Sequence, residues 1–299
     1  MSAPKVIAIV LNWNRAQDTA RCVHSLLASD YQPLEILVVD NGSSLSEYEN
    51  LQKALPEIPI LRSLENLGFA GGNNLGLRYA LAQSVAYVLV INNDTVVDAR
   101  MVGQLVAAAE AHPQAGVVGP IIYYLDQPQD VWFAGYRFDH GIYLLRRGLN
   151  LRPPLQAVEQ VDFVSGCAML MRREVLERVG LFSEDYFMYY EDLDYCFRVK
   201  QAGLRILCVT GARMWHAVSA STGGADSPLK QYYQVKSSLI FYRQHFRGWK
   251  YGLNLILRLT HAGYTLLGAI VTRRLKIGSI LMFWRGLKEG WRQTPVESK

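Results

Sequence analysis

Four acidic residues and one histidine are the side chains of this chain best suited to chemistry. Asp40 and Asp94 each follow an apolar run of the kind that forms a buried strand, whereas the other two acids follow an aromatic run. The full set is Asp40, Asp94, Glu191, Asp192 and His216. Carboxylates bind Mg²⁺ and Mn²⁺ and, like imidazole, transfer protons. The set therefore indicates a metal-assisted enzyme that acts on an anionic substrate.

The apolar pattern predicts the elements that must position these residues. Continuous apolar runs predict strands that are buried on both faces, and runs with helical spacing predict helices between them. Strands are predicted at 6–11, 34–39, 58–61, 86–91, 117–122, 161–171 and 206–209. Helices are predicted at 18–28, from the glycine-rich turn 66–74 to residue 84, at 99–112, up to residue 179 and at 191–201. The alternation predicts an α/β fold with a mostly parallel sheet flanked by helices.

In such a sheet, ligands bind in the crevice outside the carboxyl ends of the strands. Asp40 and Asp94 both lie at predicted strand ends, so we expect them in that crevice. Residues 123–160 contain aromatics, Gly and Pro without a regular period. We interpret this stretch as a loop or a small antiparallel excursion over the site, because long irregular stretches often form lids or binding loops.

The composition excludes several classes of protein. Half of the 299 residues are hydrophobic, which allows one large domain with an appendage or two modest domains. Four cysteines lie far apart, which predicts neither a zinc knuckle nor a disulfide framework. The first residues lack the apolar core and cleavage site of a signal peptide, so we expect a cytoplasmic protein.

Charge divides the chain into two parts. Residues 243–299 contain eleven Lys and Arg but two glutamates, whereas the first 242 residues contain twenty Lys and Arg and twenty-four acidic residues. A mildly acidic body is suited to metal binding, and a basic tail favours an anionic surface. We therefore predict a catalytic domain over residues 1–245 and a separate helical region over residues 246–299.

The basic tail is also apolar. Residues 253–271 approach the length of a membrane span, but Arg258 and His261 interrupt them. Basic residues at 273, 274, 276, 285, 288 and 292 lie near Phe283, Trp284 and Trp291. This mixture favours an amphipathic element that lies on an anionic membrane surface. The alternative is a soluble helical cap on the catalytic domain, and the tail is too apolar to favour nucleic acid.

Four motifs, in their order and spacing, resemble family 2 glycosyltransferases, especially the rhamnosyltransferase-like branch. The motifs are Val38-Val39-Asp40-Asn41-Gly42-Ser43, Asn66-Leu67-Gly68-Phe69-Ala70-Gly71-Gly72-Asn73, Asn92-Asn93-Asp94-Thr95 and Tyr190-Glu191-Asp192-Leu193-Asp194. The similarity covers roughly residues 5–245. It implies a GT-A fold, a nucleotide-diphosphate sugar donor, a divalent metal and inversion at the anomeric carbon.

The resemblance also implies roles for individual residues. Asp192 resembles the base that takes the proton from the acceptor hydroxyl, and Glu191 orients the acceptor or tunes its neighbour. Asp94 and His216 resemble the ligands of Mg²⁺ or Mn²⁺, which stabilises the charge of the diphosphate leaving group. Asn92 and Asn93 stand where the family pattern has carboxylates, which leaves a weaker charge at this metal site. The donor-binding positions are Asn12, Asn14, Asp40, Asn41, Gly71, Asn73 and Asn93, with Asp40 on the pyrimidine base.

Each position also has a purely structural interpretation. Asp94 suits a turn or a helix start, Asp40 suits an Asx turn, and the glycines suit a helix entry. His216 suits a hydrogen-bonded core position, and the Glu191-Asp192 pair suits the positive end of a helix. Trp132, Phe133 and Tyr136 suit either stacking on a sugar or the core.

These observations predict an inverting, metal-dependent glycosyltransferase. We expect it at the inner face of the cell membrane, where it adds a sugar to a polyprenyl-linked or cell-surface glycan precursor. The donor is expected to be dTDP- or UDP-linked, with dTDP-rhamnose leading. Two alternatives remain: a sugar nucleotidyltransferase, which releases pyrophosphate, and a catalytically silent protein that binds nucleotide sugars.

Overall fold

The structure of the protein, a computed structural model, describes residues 3–138, 146–149, 157–218, 227–271 and 277–292. Its helices are α1 (Ala16–Leu27), α2 (Leu45–Ala54), α3 (Gly68–Leu81), α4 (Met101–Ala111), α5 (Arg173–Val179), α6 (Glu191–Gln201), α7 (Pro228–His245), α8 (Gly248–Val271) and α9 (Ile277–Arg292). Its strands are β1 (Val6–Asn12), β2 (Leu34–Asn41), β3 (Ile60–Ser63), β4 (Tyr87–Asn92), β5 (Thr95–Val97), β6 (Ala115–Tyr124), β7 (Val131–Phe133), β8 (Tyr136–Phe138), β9 (Arg146–Gly148), β10 (Val158–Val161), β11 (Ala168–Arg172) and β12 (Arg205–His216).

One mixed sheet forms the centre of the fold. Its strand order is β10-β12-β6-β11-β4-β1-β2-β3, with β5 beside β12 and β7 beside β6. Strand β11 is antiparallel to both of its neighbours, whereas β1, β2, β3, β4, β6 and β12 run in one direction. The β-α alternation thus correctly predicted a mostly parallel sheet. Residues 6–10 of β1 are buried along their whole length, as is typical of strands covered on both faces.

The strand register brings the predicted strand-end residues to one edge. Asn12 at the end of β1 pairs with Asp40 on β2, and Leu11 pairs with Asn92 at the end of β4. Strand β5 begins directly after Asp94 and pairs with the far end of β12. Residues that are far apart in the sequence therefore lie together at the carboxyl edge of the sheet.

Several element bounds differ from the predicted ones. Strand β12 was predicted at 206–209 but continues to His216, because its second half pairs with β5 and β6 after a register shift. The segment 161–171 contains the last residue of β10 and most of β11, and these two strands do not pair with each other. The irregular stretch 123–160 contributes short strands, β7, β8, β9 and part of β10, while 139–145 and 150–156 lie outside the described residues.

The chain divides into two compact units. The first contains Met1–Arg137, Gly148–Ser183 and Glu191–Val218, and it includes all ten strands of the sheet. The second contains Phe138–Arg147, Glu184–Tyr190 and Ser219–Lys299, and its described helices are α7, α8 and α9. The short segment Glu184–Tyr190 thus belongs to the helical unit, although α6 begins immediately after it in the first.

Two glycines bring α9 against α7 within the second unit. A Cβ atom on Gly286 would lie 2.6 Å from the carbonyl oxygen of Tyr232, and one on Gly290 would lie 2.9 Å from that of Lys236. Only glycine therefore allows this approach of the two helices, and the opposite side of α9 is directed away from α7. No helix in the described part of the chain combines the length and apolarity needed to cross a membrane.

Candidate active site

A chain of buried polar side chains connects the ends of β1 and β2 to the turn after β4. The Asn12 amide donates to Asp40 Oδ1 at 2.8 Å and to Ser43 Oγ at 3.2 Å. The Thr19 hydroxyl donates to Asn12 Oδ1 at 2.7 Å, and the Asn93 amide donates to Thr19 Oγ at 3.0 Å. The structure therefore brings together three of the predicted donor-binding residues. Thr19 and Ser43 were not predicted from the sequence.

Asp40 is completely buried at this edge. Its Oδ2 atom lies 3.5 Å from Arg62 Nε, which is the residue opposite it on β3. The Arg62 guanidinium in turn lies 4.0 Å from the centre of the Tyr48 ring. No hydrogen-bond partner of Oδ2 is present among the described residues. This oxygen thus retains a capacity to accept a hydrogen bond, and Arg62 balances its charge.

Asn14 and Asn41 fix the turns that surround the network. Asn14 has a left-handed backbone with φ 53°, its N–H donates to Ser43 Oγ at 2.8 Å, and its Oδ1 accepts from Ser44 N at 2.8 Å. Asn41 binds the turn 66–68, where its amide donates to two oxygens at 3.0 and 2.9 Å and its oxygen accepts from a backbone N–H at 2.9 Å. In this structure both side chains hold the turns together.

The glycine-rich motif lies at the start of α3, and its glycines allow close packing. A Cβ atom on Gly72 or Gly76 would lie 2.6 Å from a side chain of β1, and one on Gly71 would lie 2.8 Å from Leu67 Cβ. Asn73 is buried, and its amide donates to the main chain of the preceding turn at 3.0 Å. Asn73 Oδ1 has no hydrogen-bond partner among the described residues. Helix packing therefore explains Gly72 and Gly76, and Gly71 and Asn73 remain predicted donor contacts.

The pairing of β5 with β12 places His216 beside Asp94. Thr95 lies opposite His216 in this pairing, and Ala217 N donates to the Asp94 carbonyl at 2.9 Å. As a result His216 Nε2 lies 3.1 Å from Asp94 Oδ1, and both side chains are buried. Among the described residues, no group of three or more His, Cys, Asp or Glu could hold a metal ion. The site thus contains one carboxylate and one imidazole, which lie side by side.

An aromatic ring and a thiol surround His216. The Trp132 ring lies 4.7 Å from the imidazole ring, centre to centre. Burial by itself would lower the pKa of His216, but the neighbouring Cys167 and Asp94 raise this pKa to about 10. Burial also raises the pKa of the Cys167 thiol. The raised pKa of His216 favours an imidazolium that pairs with the Asp94 carboxylate.

Backbone N–H groups hold the Asp192 carboxylate at the start of α6. Gly166 N donates to Oδ2 and Leu193 N donates to Oδ1, each at 2.8 Å. A Cβ atom on Gly166 would lie 3.1 Å from Asp192 Cβ, so a glycine allows the loop to approach this closely. Asp192 is half-buried. Two N–H donors fix the direction of this carboxylate.

Glu191 differs from its neighbour in burial. Its side chain is buried, and Oε2 has no hydrogen-bond partner among the described residues. Burial and the adjacent Asp192 carboxylate raise the pKa of Glu191 well above its ordinary value. The environment thus separates the two acids, because burial favours a neutral Glu191 whereas two backbone N–H groups bind the Asp192 carboxylate.

The residues 165–167 form a part of the site that sequence reasoning missed. Gly166 binds Asp192, and Cys167 lies next to His216. Both lie between β10 and β11, inside the segment 161–171 that was predicted as one strand, and the apolar pattern of that segment does not mark them. Their small side chains, Ser-Gly-Cys, were the available signal.

A family model described as Glycosyl transferase family 2 matches residues 7–180, more than half of the chain. The chain belongs to glycosyl transferase family 2. The family resemblance predicted from the four motifs is therefore confirmed. The matched residues include Asn12, Asp40 and Asp94 and end before Glu191 and His216.

Two named relatives of this family 2 chain are rhamnosyltransferases. N-acetylglucosaminyl-diphospho-decaprenol L-rhamnosyltransferase of Mycobacterium tuberculosis is 26% identical over 268 residues, which cover 81% of this chain and 85% of that protein. The dTDP-rhamnosyl transferase RfbF of Shigella flexneri is 22% identical over 222 residues, which cover 70% of this chain and 71% of that protein.

A solved structure shows the fold. Mannosyltransferase PcManGT from Pyrobaculum calidifontis, in complex with GDP-Man and Mn²⁺, matches with a TM-score of 0.59 at 15% identity. The match covers 97% of this chain and 87% of that chain. The predicted GT-A fold is confirmed. The roles of the individual site residues and the domain boundary at residue 245 stay predictions.

Proposed function

We propose that this family 2 protein transfers a sugar, with inversion, from a nucleotide-diphosphate donor to a hydroxyl of a lipid-linked glycan precursor. The arrangement around Asp192 carries the proposal. A transfer in one displacement needs a base that takes the acceptor proton as the hydroxyl attacks the anomeric carbon. Asp192 is half-buried, and two backbone N–H groups hold its carboxylate in one orientation.

The contrast with Glu191 supports Asp192 as the base. Burial raises the pKa of Glu191 and so favours its protonated form, which makes this acid less suited to accept a proton. Glu191 is therefore suited to donate a hydrogen bond from its unpartnered side, which agrees with the predicted role of orienting the acceptor. Asp192 then holds the proton that leaves the acceptor hydroxyl.

Asp94 and His216 fit a divalent metal in part. Together they offer one carboxylate and one imidazole 3.1 Å apart, and a metal would have to displace the proton of the His216 imidazolium in order to bind this ring. Mg²⁺ or Mn²⁺ takes its remaining ligands from phosphate oxygens and water. PcManGT was solved with Mn²⁺, which supports a metal at the corresponding place in this family 2 protein. A bound metal would stabilise the negative charge of the nucleotide diphosphate as it leaves.

The donor is dTDP-rhamnose in this proposal. The names of both relatives support rhamnose, and one of them names dTDP. The polar chain from Asp40 to Asn93 lies at the sheet edge where nucleotides bind in open α/β sheets. Asp40 Oδ2 has an open position for a base N–H, and the buried Asn73 Oδ1 offers a second acceptor.

The acceptor is a polyprenyl-linked glycan, and the tail helices support a membrane surface as its location. Gly286 and Gly290 turn one side of α9 toward α7. On its other side Trp284 and Trp291 are exposed together with the cations of Lys288 and Arg292. A surface that mixes tryptophan with basic residues matches an anionic lipid headgroup region.

Among its described side chains, helix α8 buries polar groups and exposes several large apolar ones. Arg258, which the sequence marks as an interruption, donates from Nε to Ser238 Oγ on α7 at 3.1 Å, and Asn254 is buried. The exposed side carries Trp249, Ile256 and Tyr264. The predicted cations at 273, 274 and 276 lie outside the described residues. We therefore propose a peripheral location on the inner face of the cell membrane.

The direct test is an assay of the purified full-length protein with dTDP-rhamnose, Mg²⁺ and a polyprenyl-diphospho-N-acetylglucosamine. We expect a lipid product heavier by one deoxyhexose, detected by mass spectrometry, together with free dTDP. A panel of UDP- and GDP-sugars measures donor preference. Release of pyrophosphate would favour a nucleotidyltransferase instead, and donor binding without any product would favour a silent binding protein.

A further inference from the structure

The backbone just before Asp192, the proposed base, has an unusual conformation. Tyr189 and Tyr190 have φ values of 64° and 72°, so two consecutive residues other than glycine are left-handed. Asp192 follows two residues later, as the second residue of α6. Residues other than glycine are strained in this conformation, and they persist in it where their surroundings hold them. The residues that contact the segment Glu184–Tyr190 therefore indicate what holds this backbone conformation in place.

One side of α7 contacts this segment, Glu184–Tyr190, along most of its length. The contacting residues of α7 follow each other at helical spacings of four, four and three: Tyr233, Ser237, Phe241 and Gln244. The Phe187 ring stacks on the Tyr233 ring, with 5.0 Å between centres and 16° between planes. The Tyr190 ring lies 5.6 Å from the Phe241 ring.

Three hydrogen bonds also join α7 to the segment Glu184–Tyr190. Ser237 Oγ donates to the Met188 carbonyl at 2.9 Å. Gln244 accepts from the Tyr186 hydroxyl at 2.5 Å and donates to Asp185 Oδ2 at 2.7 Å. The bond from Ser237 fixes the peptide directly before the left-handed pair, because the Met188 carbonyl belongs to the Met188–Tyr189 peptide.

We infer that Ser237 and Gln244 of α7 are positioning residues for Asp192, which they hold through the strained Tyr189–Tyr190 backbone. The inference rests on the proposed role of Asp192 as the base. A left-handed pair fixes the direction in which the chain enters α6, and Asp192 lies in the first turn of that helix. Removing the contacts would let the pair relax toward ordinary backbone angles and turn the carboxylate away from the acceptor. A displacement of about 1 Å in a reacting group can reduce a rate a hundredfold.

The alternative is that α7 and the segment simply pack together. Two adjacent serines of α7 separate these interpretations. Ser237 and Ser238 are both buried, but Ser238 Oγ donates to Val235 within α7 at 2.8 Å and accepts from Arg258. Ser238→Ala therefore removes an equally buried hydroxyl with a bonding role, and it leaves the Met188 carbonyl bonded.

The experiment compares Ser237→Ala, Ser237→Thr and Ser238→Ala in the full-length protein. We expect Ser237→Ala to lower kcat by about threefold to tenfold, the range that one lost hydrogen bond supports, with the donor Kd unchanged. Ser237→Thr keeps the hydroxyl and should restore kcat, and Ser238→Ala should leave kcat near the wild-type value. The double variant Ser237→Ala/Gln244→Leu should lose more than tenfold.

Thermal unfolding of each variant provides the second readout. A packing role would lower the unfolding midpoint without changing kcat per folded molecule, and that result would overturn the inference. Equal kcat for Ser237→Ala and Ser238→Ala would also overturn it. If Asp192→Asn is inactive while Ser237→Ala is fully active, positioning by α7 fails and the proposed base survives. If Asp192→Asn is active, the proposed function and this inference fail together.

Discussion

The strands of the first unit and the outward sides of α8 and α9 distribute apolar side chains in opposite ways. In β1, residues 6–10 are fully buried. On α8, Trp249 and Tyr264 are 73% and 78% exposed, while Asn254 is 1% exposed. Apolar burial thus drives the sheet to fold, whereas the two helices keep apolar area available for a partner. The comparison agrees with the proposal that the first unit carries the chemistry and the second unit the attachment.

The first prediction tests the chemical role of the first unit at Asp192. Asp192→Asn should lower kcat by about a hundredfold to ten-thousandfold, the usual contribution of a general base. Donor binding should change little, because a base acts mainly in the transition state. Transfer kinetics and calorimetric titration with the donor measure the two quantities. A variant that transfers sugar at nearly the wild-type rate would remove Asp192 from this role.

The second prediction concerns the metal position. Excess chelator should suppress transfer, and Mg²⁺ or Mn²⁺ should restore it. Asp94→Ala should weaken donor binding by about tenfold or more when metal is present and by little when metal is absent, because a carboxylate–metal contact is lost. Donor titrations with and without metal measure this difference. Full activity in chelator would make Asp94 a structural turn residue and would contradict the metal proposal.

The third prediction tests the attachment side of the comparison. Lys288→Gln and Arg292→Gln should each weaken binding to vesicles that contain anionic lipid by about fivefold at low salt, because each cation near such a surface contributes modestly. Trp284→Ser and Trp291→Ser should weaken the part of binding that survives high salt. Vesicle co-sedimentation at two salt concentrations measures both parts.

A matched control is available in the first unit. Leu27 is 56% exposed on α1, so Leu27→Ser removes a comparable apolar side chain without touching α8 or α9. It should leave sedimentation unchanged. Equal sedimentation of all variants would contradict a lipid surface on α9, and concentration-dependent dimers without vesicle binding would favour a second copy of the chain as the partner. Substitutions are sharper than truncation at Gly248, because truncation would also remove α9 from α7.

The smallest expected effect concerns the stability of the first unit. Burial raises the pKa of Glu191 in the folded protein above its unfolded value of 4.5. The unfolded state therefore releases this proton at a pH where the folded state keeps it, and the contribution of Glu191 to stability falls as pH rises above that value. Glu191→Gln should be about as stable as wild type at pH 4 and relatively more stable at pH 8. Denaturant unfolding at both pH values measures the difference, and a pH-independent difference would contradict a buried, neutral Glu191.

Local patterns predicted the part of the site that depends on nearby residues. The apolar runs placed Asn12 and Asp40 at strand ends, and the parallel pairing of β1 with β2 brought them together. The start of α6 at Glu191 was predicted at the observed residue. These features depend on strand and helix patterns that a single segment contains.

The remaining part depends on pairing between distant segments. The second half of β12 exists because β5 and β6 pair with it, and this pairing places His216 beside Asp94. The contacts of Thr19 with Asn93 and of Gly166 with Asp192 join residues 74 and 26 positions apart. No periodicity within one segment records such contacts, so the sequence pattern could not reveal them.

The anomeric configuration of the product tests the central claim most directly. The purified protein would be incubated with dTDP-rhamnose and the polyprenyl-linked acceptor, and the new linkage would be assigned by NMR. A single displacement assisted by Asp192 predicts a linkage with the configuration opposite to that of the donor. A product that retains the donor configuration would contradict the account, because one displacement with one base cannot produce it.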